Sequence, residues 1–405
     1  MFMNAAERWS PPSSARKDET RSAFARLNDL LAPVEPGQPP INCAVGEPQH
    51  PVPDFTGPVL AQHIAEFGKY PANKGIPRFR QSVTDWLSRR FALPRPLDPE
   101  SEVLVLNGTR EGLFLAALAA ARNATPQMGR PAILVPNPCY GAYSAGASAS
   151  QCETIYLPAT AETGFLPDFG AVDPQTLART IAVYVASPAN PQGSVASRGY
   201  LEKLIGLARK HDFVVFSDEC YSEIYFGEKP AGLLEVAGPD YANALVFNSL
   251  SKRSNLPGLR VGFVAGDREF LARFLEYRNN TSPQVPIPAQ AVAAAALDDE
   301  AHVIANRQAY AQKFDLADQI VGGRYGYRRP AGGFFLWLDV SAQGGSVTVT
   351  QRLWQEAGLR VLPGEFAAFT MPDGSNPGRD YIRVAMVHDN ATTADALHRL
   401  VNVLG

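Results

Sequence analysis

The feature that most constrains this chain is a series of short, nearly unbroken apolar runs between residues 100 and 265. They are VLVL (103–106), AILV (132–135), IAVYVAS (181–187), FVVFSD (213–218), ALVFNS (244–249) and RVGFVAG (260–266). Continuous rather than alternating hydrophobicity marks strands buried on both faces. Between the runs, REGLFLAALAAAR (110–122) and RGYLEKLIGLARKH (198–211) place apolar residues at three- and four-residue spacing, as sheet-covering helices do. The alternation reads as βα units building a mostly parallel central sheet flanked by helices, an α/β fold.

After Pro283 the texture changes. Two alanine-rich helical stretches (288–297 and 300–320) lead to GGFFLWLDV (332–340), RVAMV (383–387) and a last helix ending near Leu404, which together predict a smaller α/β C-terminal domain. The proline-rich SPQVPIP (282–288) marks a boundary, because proline fixes φ and removes a donor where the chain changes direction. The division expected is an N-terminal arm plus part of the small domain over 1–45, a large domain over 46–285 and the small domain over 286–405. With 405 residues, 45% of them hydrophobic, the chain can bury two cores. The first twenty residues, rich in Ser, Pro and charge, read as a mobile arm, and they lack the apolar run of a signal peptide.

A net charge of −3 with both signs interspersed leaves no stripe for nucleic acid or an anionic membrane, so small-molecule partners are expected. Cys43, Cys139, Cys152 and Cys220 form no CxxC pair, which points to a reduced, cytoplasmic setting with neither disulfide framework nor metal site. His50, His63 and His211 show no metal-ligand spacing and read as surface or capping groups.

In open α/β sheets ligands gather beyond the carboxyl ends of the strands. Four ends here are chemically loaded. Asn107-Gly108-Thr109-Arg110 turns on a glycine straight into a helix, whose first N–H groups suit a phosphate. Asn190-Pro191-Gln192-Gly193 follows the third run, Ser217-Asp218-Glu219-Cys220-Tyr221 the fourth, and Ser249-Leu250-Ser251-Lys252 the fifth, with Arg260 opening the sixth. Singly, each is a turn, a helix cap or a solvated charge; together and in this order they supply the parts that a phosphorylated, carbonyl-bearing pyridine needs.

NPQG, SDECY and SLSKRSNLPGLRVGF resemble the corresponding blocks of the class I/II aminotransferases, the fold type I pyridoxal-phosphate (PLP) family, from about residue 25 to the C-terminus. The resemblance implies that Lys252 holds the cofactor as a Schiff base, Asp218 pairs with the pyridine nitrogen, and Asn190 and Tyr221 bond the ring hydroxyl. Ser249, Arg260 and the turn Gly108-Thr109-Arg110 would hold the phosphate, and Tyr140 of NPCY would stack on the ring, so that Lys252, Asp218 and Tyr140 form the catalytic set. Tyr70, in KYPANKG, resembles the tyrosine that crosses to a neighbouring subunit, which implies a homodimer. The residue types make chemical sense independently of that likeness: an adjacent carboxylate keeps the pyridine protonated, and an amine released in neutral form can carry a proton.

Arg383 in YIRVAMV begins an apolar strand pattern, where an unpaired guanidinium is costly and a bidentate partner is expected. The resemblance makes that partner the substrate α-carboxylate, assisted by Gly46 of VGEP and by Asn190; a structural Arg–Asp or Arg–Glu pair is the alternative. GEPQHPVPDF, KYPANKGIPRFRQSV and NSLSKRSNLPGLRVGFVAGD are similar to the succinyldiaminopimelate aminotransferase subgroup, which implies glutamate/2-oxoglutarate and N-succinyl-LL-2,6-diaminopimelate as substrates. A broad-specificity transaminase and a PLP-dependent C–S β-lyase remain open, since they share every cofactor residue. Lys74, Arg78 and Arg278 are available to a distal carboxylate or are simply solvated. Cys139 and Cys220 read as apolar filler, and Phe334, Phe335 and Trp337 as small-domain core.

Overall fold

The computed structural model describes residues 21–124 and 129–405, so the arm read from residues 1–20 lies outside the described residues. The main sheet has seven strands: β1 (Val103–Leu106), β2 (Ala132–Asn137), β3 (Glu153–Pro158), β4 (Thr180–Ala186), β5 (Val214–Asp218), β6 (Ala244–Ser249) and β7 (Gly262–Gly266). Their spatial order is β1-β7-β6-β5-β4-β2-β3. Neighbours are parallel except at β7, which runs antiparallel to both β1 and β6. The apolar runs are continuous because both faces are covered: Val103 and Val105 enter one buried cluster, Leu104 and Leu106 the other. The strand that the runs did not reveal is β3, an edge strand of half-buried residues whose ETIYLP sequence mixes polar and apolar positions.

Six of the helices position or back the strand ends: α1 (Thr109–Asn123), α2 (Gly141–Ala149), α3 (Arg198–His211), α4 (Ile287–Asp298), α5 (Ala301–Ile320) and α6 (Asn390–Leu404). Ser197 caps α3 by accepting from the Tyr200 N–H, and the helix stops at Asp212 in a left-handed conformation (φ 58°). The smaller unit holds β8 (Phe335–Asp339), β9 (Leu362–Pro363) and β10 (Tyr381–Ala385) in the antiparallel order β9-β10-β8. Ile41–Asn42 pairs in parallel with Leu359–Arg360, and Ile41 and Cys43 pack in the smaller core.

Helix α4 buries Ala289, Val292, Ala293 and Leu297 in the cluster that contains Val103, whereas Phe314 and Ala317 of α5 belong to the smaller core. We therefore propose the boundary at Asp299–Glu300 rather than at residue 285; Ser282–Pro286 is a turn within the larger unit. Among the described residues no helix is long and apolar enough to cross a membrane.

Candidate active site

Because β7 runs backwards, its first residue meets the ends of two other strands: Gly262 lies opposite both Leu106 of β1 and Ser249 of β6. The turn after β1, the segment before β7 and the loop after β6 therefore converge. Gly108, the cap of α1, sits at φ 76°, and a Cβ there would stand 2.3 Å from Arg260 Nη2. Only glycine admits the guanidinium so close to the backbone. Arg260 itself is held left-handed (φ 56°), donates to the Pro257 carbonyl at 2.9 Å and has no carboxylate partner among the described residues. Ser249 Oγ and Ser251 Oγ are 2.9 Å apart beside it. Helix-start amides, one guanidinium and two hydroxyls make a cradle for a dianion.

Asp218 ends β5, paired with Ala186 at the end of β4. Its carboxylate accepts from Tyr143 Oη at 2.6 Å and from the Cys220 N–H at 3.1 Å, and among the described residues no cation is bonded to it. Burial pushes its pKa up, and those two hydrogen bonds and the nearby Lys252 charge work against that rise. Lys252 lies on the short helix Leu250–Arg253, where Nζ donates to the Gly46 carbonyl at 2.5 Å and stands 5.3 Å over the Phe334 ring. Burial, aided by Arg383 and Arg260, pushes its amine down to about 8.

Arg383 is central in the smaller sheet, between Leu362 and Trp337. Its Nη1 donates to Asn190 Oδ1 at 3.0 Å and its Nη2 to the Ala44 carbonyl at 2.7 Å, while the guanidinium lies 4.4 Å over the Phe335 ring. Its Nε is buried without a partner, and no carboxylate among the described residues is paired with it, so the structural ion pair is not what the chain builds. Burial pushes this guanidinium down to about 10. A Cβ on Gly46 would come 2.6 Å from Phe335 Cζ, which explains the glycine.

Tyr140 Oη accepts from Arg110 Nε at 2.6 Å, and the Tyr140 ring meets Tyr143 edge-on at 5.7 Å. Tyr140, Arg110, Asn190, Arg260 and Arg383 line one cavity of about 1410 Å³. Tyr221 packs its ring against Phe334 and Phe335 at 5.2 and 5.9 Å, and Thr109 Oγ1 lies 3.2 Å from Cys220 Sγ. Tyr70 is not brought to the cavity by its own chain: it is 96% exposed, near the exposed Ile64 and Phe67.

Other side chains noted in the sequence already have partners or are buried. Lys74 pairs with Glu100, Arg78 with Asp298 and Arg278 with Glu111, each already compensated. Burial pushes the Cys139 thiol up to about 12, which leaves it unreactive. His50 is half-buried and no helix cap: its ring nitrogens bond Asn306 and the buried Lys313. Tyr143, which no sequence motif singles out, is the hydrogen-bond partner of Asp218; its one signal is its position three residues after Tyr140.

These features fit pyridoxal phosphate. The Gly108–Arg260 cradle suits its phosphate, the cation-free Asp218 its ring nitrogen, and the Lys252 amine its aldehyde.

The family model of aminotransferase class I and II matches residues 38–400. The LL-diaminopimelate aminotransferase of Syntrophobacter fumaroxidans is 31% identical over 369 residues, 89% of this chain and 90% of that one. Among solved structures, an aminotransferase from Neisseria meningitidis superposes with a TM-score of 0.88 at 38% identity, covering 95% of this chain and 97% of that one. A probable N-succinyldiaminopimelate aminotransferase from Thermus thermophilus shares the fold, with a TM-score of 0.83 at 23% identity over 95% of this chain and 100% of that one.

Proposed function

Because the chain belongs to the class I and II aminotransferases, a fold type I family that works with pyridoxal phosphate, we propose that it moves an amino group between glutamate/2-oxoglutarate and a diaminopimelate-type amino acid. The observation that carries the site assignment is a half-buried lysine, its amine drawn toward neutrality, with an anion cradle and a buried guanidinium that has no carboxylate partner among the described residues both near enough to act on it.

When bound, the cofactor supplies an electron sink for the charge left on the substrate Cα after deprotonation. Arg260, Ser249 and the amides of Thr109 and Arg110 would hold its phosphate. Asp218 would face the ring nitrogen and favour its protonated form, and the hydrogen bonds from Tyr143 and the Cys220 N–H oppose the rise that burial causes in the Asp218 pKa. Asn190 and Tyr221 would be the hydrogen-bond partners of the cofactor's ring hydroxyl, and Tyr140 would cover its ring. Lys252 would hold the cofactor through its aldehyde, and its amine, drawn toward neutrality by burial, would be placed to take and return the proton at the substrate Cα. Arg383 exchanges Asn190 and Ala44 for the two oxygens of the α-carboxylate.

The diaminopimelate reading is supported by the name of the 31%-identical relative and by Arg110, which lines the same cavity with no carboxylate partner among the described residues and is available to a second carboxylate. The succinylated form has the subgroup-like GEPQHPVPDF and NSLSKRSNLPGLRVGFVAGD blocks in its favour. Formation of diaminopimelate and lysine in the cytoplasm is the setting we propose, and a homodimer in which Tyr70 reaches the partner's phosphate is the assembly. A half-reaction screen tests this: the PLP form is mixed with glutamate, LL-diaminopimelate, its N-succinyl derivative and unrelated amino acids, and conversion to the pyridoxamine form is ranked. Preference for either diaminopimelate supports the reading; equal rates across the panel make the enzyme broad-specificity. Failure with glutamate alongside pyruvate release from cystathionine makes it a β-lyase.

A further inference from the structure

Against the main chain of Lys252 lies a set of polar groups that the proposed amino transfer does not use. Asn306 Nδ2 on α5 donates to the main-chain carbonyls of Lys252 at 3.1 Å and Arg253 at 3.4 Å. With its amide N–H groups turned to two carbonyls, Asn306 presents Oδ1 to His50 Nδ1 at 2.6 Å, so Nδ1 carries the proton. The other ring nitrogen, Nε2, is then bare and accepts from Lys313 Nζ at 2.6 Å. Every donor points the same way, from a lysine that is 1% exposed, through imidazole and amide, to the carbonyl of Lys252. Tyr310, one turn from both Asn306 and Lys313, closes the group: its ring stacks on Phe334 at 5.2 Å and touches His50 at 4.6 Å.

The segment from Ala44 to His50 is gripped at three points: Arg383 holds the Ala44 carbonyl, Lys252 Nζ the Gly46 carbonyl, and the Asn306–Lys313 pair holds His50. Turnover needs the first two elsewhere, Arg383 on a carboxylate and Lys252 on the cofactor. Only the third persists. We propose that His50, Asn306 and Lys313 are positioning residues for Lys252: a one-way donor chain that fixes the reactive lysine's main chain and keeps the Gly46 segment in register with it while the other two grips change partners.

This rests on Lys252 being the cofactor-holding lysine. It requires a neutral His50, because an imidazolium would set an N–H against the Lys313 ammonium. Burial and Lys313 both lower the pKa of His50, against the raising effect of Asn306. The titratable groups around the chain are Lys313 and Tyr310 on α5, Lys252 behind Asn306, Glu47 in the same segment, and Asp389, which acts on Lys313 from the start of α6.

The test uses holoenzyme carrying Asn306→Leu or Lys313→Met, the second cutting the chain at its far end should the first not fold. With ¹⁵N-labelled histidine, His50 is expected as the neutral Nδ1–H tautomer in wild type and altered in both variants. Both are expected to shift the pH midpoint of the Lys252–cofactor absorbance and to lower kcat about tenfold while KM stays within about threefold, the pattern of a misplaced reacting group. A wild-type midpoint and kcat in both, whatever the melting temperature, overturn the relay, as does an imidazolium or Nε2–H His50 at neutral pH. Lys252→Ala is the separate control. If it keeps the borohydride-reducible linkage, the assignment of Lys252 fails and the relay with it; if the linkage is lost while the variants behave as wild type, the relay alone fails.

Discussion

Tyr143 donates its phenolic hydrogen to Asp218 Oδ2 at 2.6 Å while its ring stacks on Tyr184 at 4.7 Å, so a neutral group rather than a cation is bonded to the buried carboxylate. That leaves Asp218 without a bonded cation among the described residues, as its proposed place beside a cationic ring nitrogen requires. The hydrogen bond opposes the effect of burial on the Asp218 pKa. Removing it in Tyr143→Phe raises that pKa further and weakens the hold on the pyridinium. Since a hydrogen bond to a charged group contributes about 1.5–3 kcal/mol, kcat/KM is expected to fall by roughly 10- to 100-fold with little loss of melting temperature. Steady-state kinetics paired with thermal melts check this.

Gly108→Ala puts a Cβ 2.3 Å from Arg260 Nη2 at a backbone φ of 76°. The guanidinium must leave the cradle or the turn must open, with backbone strain of about 1–3 kcal/mol in addition, because φ 76°, ψ 156° is a region essentially restricted to glycine. Cofactor affinity, read by equilibrium dialysis, is expected to fall by at least about tenfold. Unchanged affinity would remove the cradle from the cofactor assignment.

The amine of Lys252, depressed to about 8 by burial, sets a pH dependence with a definite sign. Only the neutral amine attacks the cofactor aldehyde. Capture of pyridoxal phosphate by the cofactor-free protein should therefore rise about tenfold per pH unit below roughly pH 8 and level off above it, as measured by stopped-flow absorbance. Folding stability follows the same sign. Between about 8 and the ordinary lysine value of 10.5 the unfolded chain binds the proton that the folded one has lost, so this group adds stability as pH rises across that window.

Much of this arrangement is legible in the residues alone, and the limits are physical. Asn190, Asp218, Ser249 and Lys252 can be found because each directly follows a run too apolar to be anything but a buried strand. Tyr143 cannot be paired with Asp218 that way, since the contact needs α2 and β5 side by side across the sheet. His50 misleads for the same reason: its polar sequence neighbours describe a loop, while its partners, Asn306 and Lys313, stand one face of a helix away on α5. The proline-rich turn before helix α4 marks a bend in composition, but composition says nothing of which core receives the next helix.

Arg383→Lys keeps the charge and loses the planar fork. The lysine cannot span Asn190 and Ala44 or grip two carboxylate oxygens, so KM for amino donors is expected to rise by about 10- to 100-fold with kcat less affected. An unchanged KM would reassign the α-carboxylate.

Tyr70 allows a test that needs no structure of the assembly. Tyr70→Ala and Lys252→Ala chains, each nearly inactive alone, are mixed after reversible dissociation. If Tyr70 completes the partner's site, half of the dimers are mixed and each has one intact site, so roughly a quarter of wild-type activity returns. No recovery would confine Tyr70 to its own chain.

The reversal of β7 also bears on how the chain matures. β1 touches the rest of its sheet only through β7, so the contact of Gly108 with Arg260 must await the insertion of a strand that emerges far later in synthesis. Closures of this long range are slow to form. Until that insertion the chain lacks the Gly108–Arg260 approach, so on the proposed assignment of the phosphate to this turn, cofactor capture reports a completed sheet.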